Sequence, residues 1–286
     1  MRVLVTNDDG VESEGLHVLT AALAAAGLDV FVVAPDSDRS GTGAAIGLVH
    51  ADQHLDAQRV EIPGCDGVVA HALDGPPGMC VIAARLGAFG DPPEVVVSGI
   101  NPGLNTGRAI LHSGTVGAAL TAQNFGGSGL AVSTDVGATW YWDTAARFAV
   151  EVFPRLLEAP PRTVLNLNVP ALPYEAVGGV RWARLAAFGA VRAAVADVGS
   201  GRLQFELRST NVTPTPDSDT GLVASGFAAL TTIVGIAEAW PADLHDAPDV
   251  REGVVPGAPL EPVHTIPDAS LPRWLHRPLP PDDHLV

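Results

Sequence analysis

The sequence predicts an α/β fold with a doubly wound, mostly parallel β-sheet covered by helices on both faces. In the first half of the chain, short β-branched runs alternate with Ala- and Leu-rich stretches of helical period. The β-branched runs are almost continuously apolar, which is typical of parallel strands buried on both faces. In such sheets ligands bind beyond the carboxyl ends of the strands, so the loops that follow the strands are the first place to look for a site.

The predicted strands and helices alternate up to about residue 170. The strands are residues 2–6, 30–34, 68–73, 94–98, 129–133 and 163–167, and the helices lie near residues 16–26, 77–86, 114–123 and 143–157. Leu16, Leu19 and Leu23 recur at helical spacing before Gly27, a residue type that often ends a helix. The turn residues that follow Ser98 predict that the fourth strand ends there.

The C-terminal third has a different pattern. Residues 202–208 alternate with the period of a half-exposed strand, and residues 181–187 are a candidate partner for it. We therefore predict a β-hairpin excursion at about 180–210 that serves in oligomerisation. The main domain is predicted to cover residues 1–240, with a strand or helix near its end. Residues 241–286 are rich in proline and acidic residues and are predicted to form a surface-wrapping or poorly structured tail.

The charge of the chain narrows its possible functions. With 32 Asp and Glu residues against 16 basic ones, the formal net charge is -16. An acidic surface repels nucleic-acid backbones, which disfavours a protein that binds DNA or RNA polymers. Every basic residue is an arginine, so a Walker-type phosphate loop and Schiff-base catalysis both lack the lysine that they need. A small phosphorylated substrate is still compatible, because a metal ion reverses the local potential.

The location of the chain and the state of its cysteines are also predicted from the sequence. No apolar run reaches the roughly 18–20 residues that span a bilayer, and the first residues lack the order of a secretory signal. We therefore expect a cytoplasmic protein without membrane contact. Cys65 and Cys80 have neither zinc-site nor disulfide-framework spacing, so both thiols are expected to be reduced.

Two consecutive carboxylates end the first predicted strand, in the sequence Asn7-Asp8-Asp9-Gly10. On a regular strand the two side chains would point to opposite faces, but at a strand end a glycine permits a turn in which they converge. Converging carboxylates repel each other unless they share a proton or a cation, and Mg²⁺ or Mn²⁺ prefers such oxygen ligands. The alternative is an ordinary acidic turn, since Asp-Gly is a common turn pair.

Two other strand-end loops supply neutral oxygen atoms. Ser40 follows the second strand and Asn101 follows the strand at 94–98, so both could complete the coordination of a metal ion, with water in the remaining positions. Both also fit routine turns. Arg39 either contacts a phosphate or lies on the surface.

The stretch 41–47 resembles a dinucleotide-binding glycine fingerprint, but its spacing and its place after the second strand argue against a nicotinamide site.

A further group of candidates opens the helix at 114–123. Ser113 can cap this helix, and the free N–H groups at Ser113, Gly114 and Thr115 favour an anion such as a phosphate. Capping alone also explains Ser113. His112 either protonates a leaving group or is only a neighbour of the site.

These motifs taken together resemble the survival protein SurE family. The stretches that carry the resemblance occur in the family's order and at consistent spacing; they are Asn7-Asp8-Asp9-Gly10, 34–41, 97–103 and 113–116. Residues 165–170 and the later positions Asp219, Gly226 and Thr231 extend the resemblance, which covers about residues 1–240.

The resemblance implies a Rossmann-like core and a metal-dependent 5′/3′-nucleotidase, a phosphatase of nucleoside monophosphates that can also attack short polyphosphate chains. It implies one divalent ion, Mg²⁺ or Mn²⁺, per subunit, with Asp8, Asp9, Ser40 and Asn101 as its ligands. From the residues themselves we expect Asp8 and Asp9 to be the catalytic residues, as a base or purely as ligands, and Asn101 and residues 113–115 to hold the phosphate. A homodimer or homotetramer is implied as well.

Three departures from the family pattern spare the four ligand positions. Glu14 stands where many members have proline, Gly78-Met79-Cys80 replaces a sequence that often carries an aspartate, and Thr121-Ala122 replaces a frequent Glu-Gly. These changes bear on substrate choice. The alternatives to a nucleotidase are therefore a phosphatase of another small ester, such as a sugar or secondary-metabolite phosphate, and a non-catalytic protein that binds nucleotides or metal.

Overall fold

The helices and strands come from a computed structural model, which describes residues 1–47, 54–187, 191–199, 202–209 and 213–236. The strands are β1 (Arg2–Thr6), β2 (Asp29–Pro35), β3 (Ala57–Val60), β4 (Val69–Leu73), β5 (Val95–Pro102), β6 (Ser128–Thr134), β7 (Val164–Val169), β8 (Val180–Trp182), β9 (Val191–Gly199), β10 (Arg202–Ser209) and β11 (Ala228–Ile233). The helices are α1 (Glu14–Ala25), α2 (Pro77–Arg85), α3 (Gly114–Asn124), α4 (Trp142–Glu158) and α5 (Asp219–Ala224), with short 3-10 helices at Gly107–His112 and Tyr174–Ala176.

The main sheet is doubly wound about β1. Its strand order is β3-β4-β2-β1-β5-β6-β7-β11-β8. From β1 the chain first adds β2 and β4 on one side, then crosses over to add β5, β6 and β7 on the other, and these pairs are all parallel. The pairs β3–β4 and β7–β11 are antiparallel. The predicted fold class is confirmed, and the point at which the winding reverses, between β1 and β5, is where such a sheet binds a ligand.

Alternate residues of the central strands pack on opposite faces of the sheet. Val3 and Val5 belong to the core cluster that contains residues of α1 and α4, whereas Leu4 belongs to the cluster that contains residues of α2. Helix α3 packs beside α2 and against β5 and β6. Because helices cover both faces, β1 and β7 are buried along almost their whole length, which explains the almost continuously apolar sequence of β1.

The structure corrects two local predictions. The strand at 94–98 does not end at Ser98: β5 continues to Pro102, and its pairing with β6 resumes at Asn101 after a shift of register. The predicted partner of residues 202–208 is also wrong, because β10 pairs antiparallel with β9, whereas β8 lies parallel to β11. Only two residues separate β9 from β10, so this pairing closes the shorter loop and costs less chain entropy.

The extent of the main unit and the state of the cysteines can be compared with the predictions. Met1–Gly235 form one unit, while the predicted tail at 241–286 lies outside the described residues, so the boundary at 240 stays a prediction. The oligomerisation role of the hairpin at about 180–210 is likewise a prediction. Cys65 and Cys80 are free and buried, in agreement with reduced thiols. Among the described residues, no helix is long and apolar enough to cross a membrane.

Candidate functional site

The turn after β1 holds Asp8 and Asp9 at the carboxyl edge of the sheet. The buried Asn7 closes this turn, since its Nδ2 donates to the carbonyl oxygen of Gly10 (2.9 Å) and to Oγ of Ser13 (2.6 Å). Gly10 has a φ of +99°, a conformation that residues with a side chain rarely adopt. The glycine therefore permits the sharp turn that brings two consecutive carboxylates to one edge.

Asp8 lies against the start of α3. Thr115 Oγ1 donates to Asp8 Oδ1 at 2.5 Å. Gly114 has no room for a side chain, because a Cβ there would lie 2.6 Å from Cβ of Asp8. Asp8 is 3% exposed. Burial raises the pKa of its carboxyl group, and the hydrogen bond from Thr115 lowers that pKa by a smaller amount.

Asp9 has an unfavourable electrostatic environment. Burial, followed by the negative charges of Asp8 and Asp38, raises the pKa of its carboxyl group from 3.8 to about 7. Its Oδ2 is buried and accepts no hydrogen bond from any described residue. A buried oxygen without a partner, beside two further carboxylates, is stabilised by a cation.

The loop after β2 is hydrogen-bonded to the backbone of Asp8. The Arg39 N–H donates to the carbonyl oxygen of Asp8 at 2.7 Å. Ser40 donates both its N–H (2.8 Å) and its hydroxyl (2.7 Å) to Oδ1 of Asp38, so its hydroxyl is engaged by Asp38 and not by Asp8 or Asp9. The sequence prediction missed Asp38, although an aspartate that bonds the backbone two residues further on is a common turn pattern. Arg39 is paired with Asp36 and Asp74 on the surface.

β5 carries Asn101 to the same edge of the sheet. Its Nδ2 donates to the carbonyl oxygen of Gly103 at 2.6 Å, and its Oδ1 lies 3.2 Å from the Thr115 hydroxyl. The Thr115 hydroxyl has a single hydrogen to donate. Because its distance to Asp8 Oδ1 is shorter than its distance to Asn101 Oδ1, it donates its hydrogen bond to Asp8. The structure therefore brings Asp8, Asn101 and Thr115 together, while their roles as ligands or phosphate-binding groups stay predictions.

The start of α3 is held by a cap and by a close backbone contact. Ser113 Oγ accepts a hydrogen bond from the Val116 N–H at 3.1 Å, so the capping interpretation of Ser113 is correct. The carbonyl oxygen of His112 accepts from the Gly43 N–H at 3.2 Å, and the His112 side chain is exposed. A Cβ on Gly117 would collide with the Gly43 carbonyl. Gly43 of the stretch 41–47 therefore serves this contact between loop and helix.

Hydrogen bonds join the segment after β5 to β7 and to α5. Asn105 donates its N–H to Oδ1 of Asn168 (2.8 Å), and its carbonyl oxygen accepts from the side-chain amides of Asn166 and Asn168 (both 2.9 Å). Asp219, fully buried at the start of α5, accepts from the Gly107 N–H at 2.8 Å. The sequence prediction assigned these residues no role. The contacts are not local, so only the folded chain reveals that they position the segment between β5 and α3.

The chemistry of these side chains fits a hard divalent ion. In the part of the chain that the structure describes, no group of three or more His, Cys, Asp or Glu side chains could hold a metal ion. A metal centre there would combine the carboxylates of Asp8 and Asp9 with neutral oxygens and water, a mixture that Mg²⁺ accepts. Asn101 is the neutral donor on the neighbouring strand. Ser40 fits this set if its hydroxyl oxygen coordinates the ion while the hydroxyl still donates its hydrogen bond to Oδ1 of Asp38.

Comparison with known proteins identifies the family. Residues 3–190 match the family model described as Survival protein SurE. The 5'-nucleotidase SurE of Xanthomonas euvesicatoria pv. vesicatoria (strain 85-10) is 42% identical over 189 residues, which cover 65% of this chain and 70% of that protein. The chain belongs to the SurE family. The resemblance read from the motifs is therefore confirmed.

Two further SurE proteins support this placement. The 5'-nucleotidase SurE of Xanthomonas axonopodis pv. citri (strain 306) is also 42% identical over 189 residues, with the same shares of both chains. The crystal structure of the SurE protein from Aquifex aeolicus has a TM-score of 0.68 and 28% identity, and the match covers 82% of this chain and 93% of that one. The region matched by the SurE model contains every predicted site residue, from Asp8 to Thr115.

Proposed function

We propose that this SurE-family chain hydrolyses nucleoside 5′- and 3′-monophosphates to nucleoside and phosphate with one Mg²⁺ or Mn²⁺ ion per subunit. The predicted enzyme class, a phosphoric monoester hydrolase, agrees with the name 5'-nucleotidase that the relatives carry. The observation that carries the metal dependence is the buried, unpartnered Oδ2 of Asp9 beside Asp8. Both carboxylates lie at the point where the winding of the sheet reverses.

The residues of the chain have separate tasks in this proposal. Asp8, Asp9, Ser40 and Asn101 would hold the ion, which when bound neutralises charge that develops on the phosphate. The Asn101 amide and the start of α3, at residues 113–115, hold the remaining phosphate oxygens, because the helix dipole and the first N–H groups favour an anion.

Proton transfer is assigned to the same pair of carboxylates. The nucleophile is a water molecule or Asp8 itself, and Asp8 or Asp9 serves as the base or purely as a ligand of the ion. Thr115 fixes the Asp8 carboxylate by the 2.5 Å hydrogen bond. The homodimer or homotetramer and the cytoplasmic location stay predictions from the sequence.

A phosphate-release assay tests the function and its alternatives together. Nucleoside 5′- and 3′-monophosphates are compared with sugar phosphates in the presence of Mg²⁺, Mn²⁺ or a chelator. We expect release from nucleoside monophosphates that the chelator abolishes, and Asp8→Asn should lower it by about 100-fold or more while the chain stays folded. Asp29→Asn, which removes the same charge from the exposed start of β2, is the matched control. Activity that survives both the chelator and Asp8→Asn would contradict the proposal, and nucleotide binding without release would favour the non-catalytic alternative.

A further inference from the structure

A pair of stacked tryptophans has no task in the mechanism above. The ring centroids of Trp140 and Trp142 are 5.0 Å apart, and their planes differ by 10°. Trp142 is 9% exposed, whereas Trp140 is 40% exposed. Trp142 stacks on one face of Trp140, and 40% of the Trp140 surface is still exposed. An indole with an open face outside the core is able to stack on a further aromatic ring.

The pair is anchored to the strand that carries Asn101. Gly15 of α1 has no room for a side chain, because a Cβ there would collide with the carbonyl oxygen of Ile100 and would lie 3.2 Å from Cζ3 of Trp142. Ile100 directly precedes Asn101 on β5. The Trp142 ring therefore lies next to the end of this strand, and the Trp140 ring stacks on it.

The loop that presents Trp140 lies at the ligand-binding edge of the sheet. It leaves the carboxyl end of β6, whose Ser133 is the strand partner of Asn101. The Asp135 N–H then donates to the carbonyl oxygen of Val169, at the carboxyl end of β7 (2.9 Å). When the phosphate of a nucleoside monophosphate lies at Asn101 and the start of α3, its base lies one sugar ring away. The base would then extend along the carboxyl ends of the strands, the edge from which the loop after β6 leaves.

We propose that the open face of Trp140 stacks on the nucleobase of the substrate. This inference rests on the proposed function and deepens it, because it names the contact that separates nucleotides from other phosphate esters. Stacking tolerates every base, since each has a π face. The site therefore binds all nucleoside monophosphates, with the larger purines bound more tightly than the pyrimidines.

The test compares two substrates that differ by the base. The kcat/KM for adenosine 5′-monophosphate is divided by that for ribose 5-phosphate in the wild type, Trp140→Ala, Trp140→Phe and Trp182→Ala. Trp182 is the matched control, because it is 57% exposed on the edge strand β8. We expect Trp140→Ala to lower the ratio about 5- to 150-fold, the range typical of base–aromatic stacking, mainly through the KM for the nucleotide. Trp140→Phe should keep most of the ratio, and Trp182→Ala should keep all of it.

Two results would overturn the assignment of Trp140. One is a wild-type kcat/KM ratio near one between the two substrates, which would mean that the phosphatase does not recognise the base. The other is a kcat/KM ratio in Trp140→Ala equal to that of the wild type. If the wild type hydrolyses neither substrate, the proposed function itself has failed, and equilibrium dialysis with adenosine decides the role of Trp140. Adenosine binding that Trp140→Ala abolishes and Trp182→Ala retains would then support base stacking, whereas absent or unaltered binding would refute it.

Discussion

Replacing Asp9 by asparagine is expected to stabilise the metal-free chain while it abolishes metal-dependent phosphate release. Asparagine has nearly the same shape as aspartate but cannot ionise. The substitution therefore removes a charge that burial and the neighbouring carboxylates of Asp8 and Asp38 make unfavourable. The same change removes a proposed metal ligand, so stability without metal and activity with metal should move in opposite directions.

The size of the effect follows from the pKa of Asp9. This pKa is about 7 in the folded chain and has an ordinary value of 3.8. Between these values the folded chain binds more protons than the unfolded chain, so the free energy of unfolding falls as the pH rises. One pKa unit corresponds to about 1.4 kcal/mol. Allowing for partial solvation of Asp9, we expect a loss of roughly 2 kcal/mol between pH 5 and pH 8 that Asp9→Asn does not show.

Thermal unfolding in chelator at pH 5 and pH 8 measures this difference. A gain of roughly 2 kcal/mol corresponds to about 4–8 °C in Tm for a chain of this size, and the gain should be smaller at pH 5. Added Mn²⁺ should raise the Tm of the wild type at pH 8 and leave that of Asp9→Asn unchanged. The reasoning is refuted if Asp9→Asn is less stable than the wild type in chelator at pH 8. It is also refuted if Asp29→Asn, which removes the same charge elsewhere, gives an equal gain.

Three further substitutions test the contacts of Asp8 and of Asp219, and Gly75→Ala is the control for the first of them. Gly114→Ala would place a Cβ 2.6 Å from Cβ of Asp8, so we expect a loss of about 1–3 kcal/mol in urea unfolding together with most of the activity. Gly75→Ala, whose Cβ would meet no atom closer than 3.5 Å, should retain both, and equal losses in the two variants would contradict the argument. Thr115→Val removes the hydrogen bond that lowers the pKa of Asp8, so the acid limb of the kcat/KM profile should move to higher pH, and an unmoved limb would count against the bond. Asp219→Ala removes the acceptor of the N–H groups of Gly107, Ala186 and Thr220 and should cost at least about 1–3 kcal/mol in urea unfolding; full stability would show that these bonds are dispensable.

The predictable part of the fold is the part that depends on local pattern. β1 and β2 are buried apolar runs that end at Asp-Gly and Pro signals, and α1 ends just before Gly27, which has a φ of +84°. β3 was not predicted, because Ala57–Val60 is a mostly exposed edge strand without an apolar period. The continuation of β5 past Ser98 was also missed, since it depends on pairing with β6 and not on the glycine and proline in its own sequence.

The candidate site was predictable where it depends on strand ends. Asp8 and Asn101 follow neighbouring parallel strands, so the topology alone brings them to one edge. The bond from Thr115 to Asp8 could not be predicted in the same way, because it joins residues 107 positions apart and leaves no periodic signal in either segment. The bond from Ser40 to Asp38 is local, and its turn pattern was the signal that could have found it.

The most direct test of the metal centre is an anomalous difference map from crystals grown with Mn²⁺. We expect one strong peak between the carboxylates of Asp8 and Asp9, with the side-chain oxygens of Asn101 and Ser40 among its ligands. A peak bound elsewhere on the chain, or two carboxylates turned away from each other with no peak between them, would contradict the proposed centre.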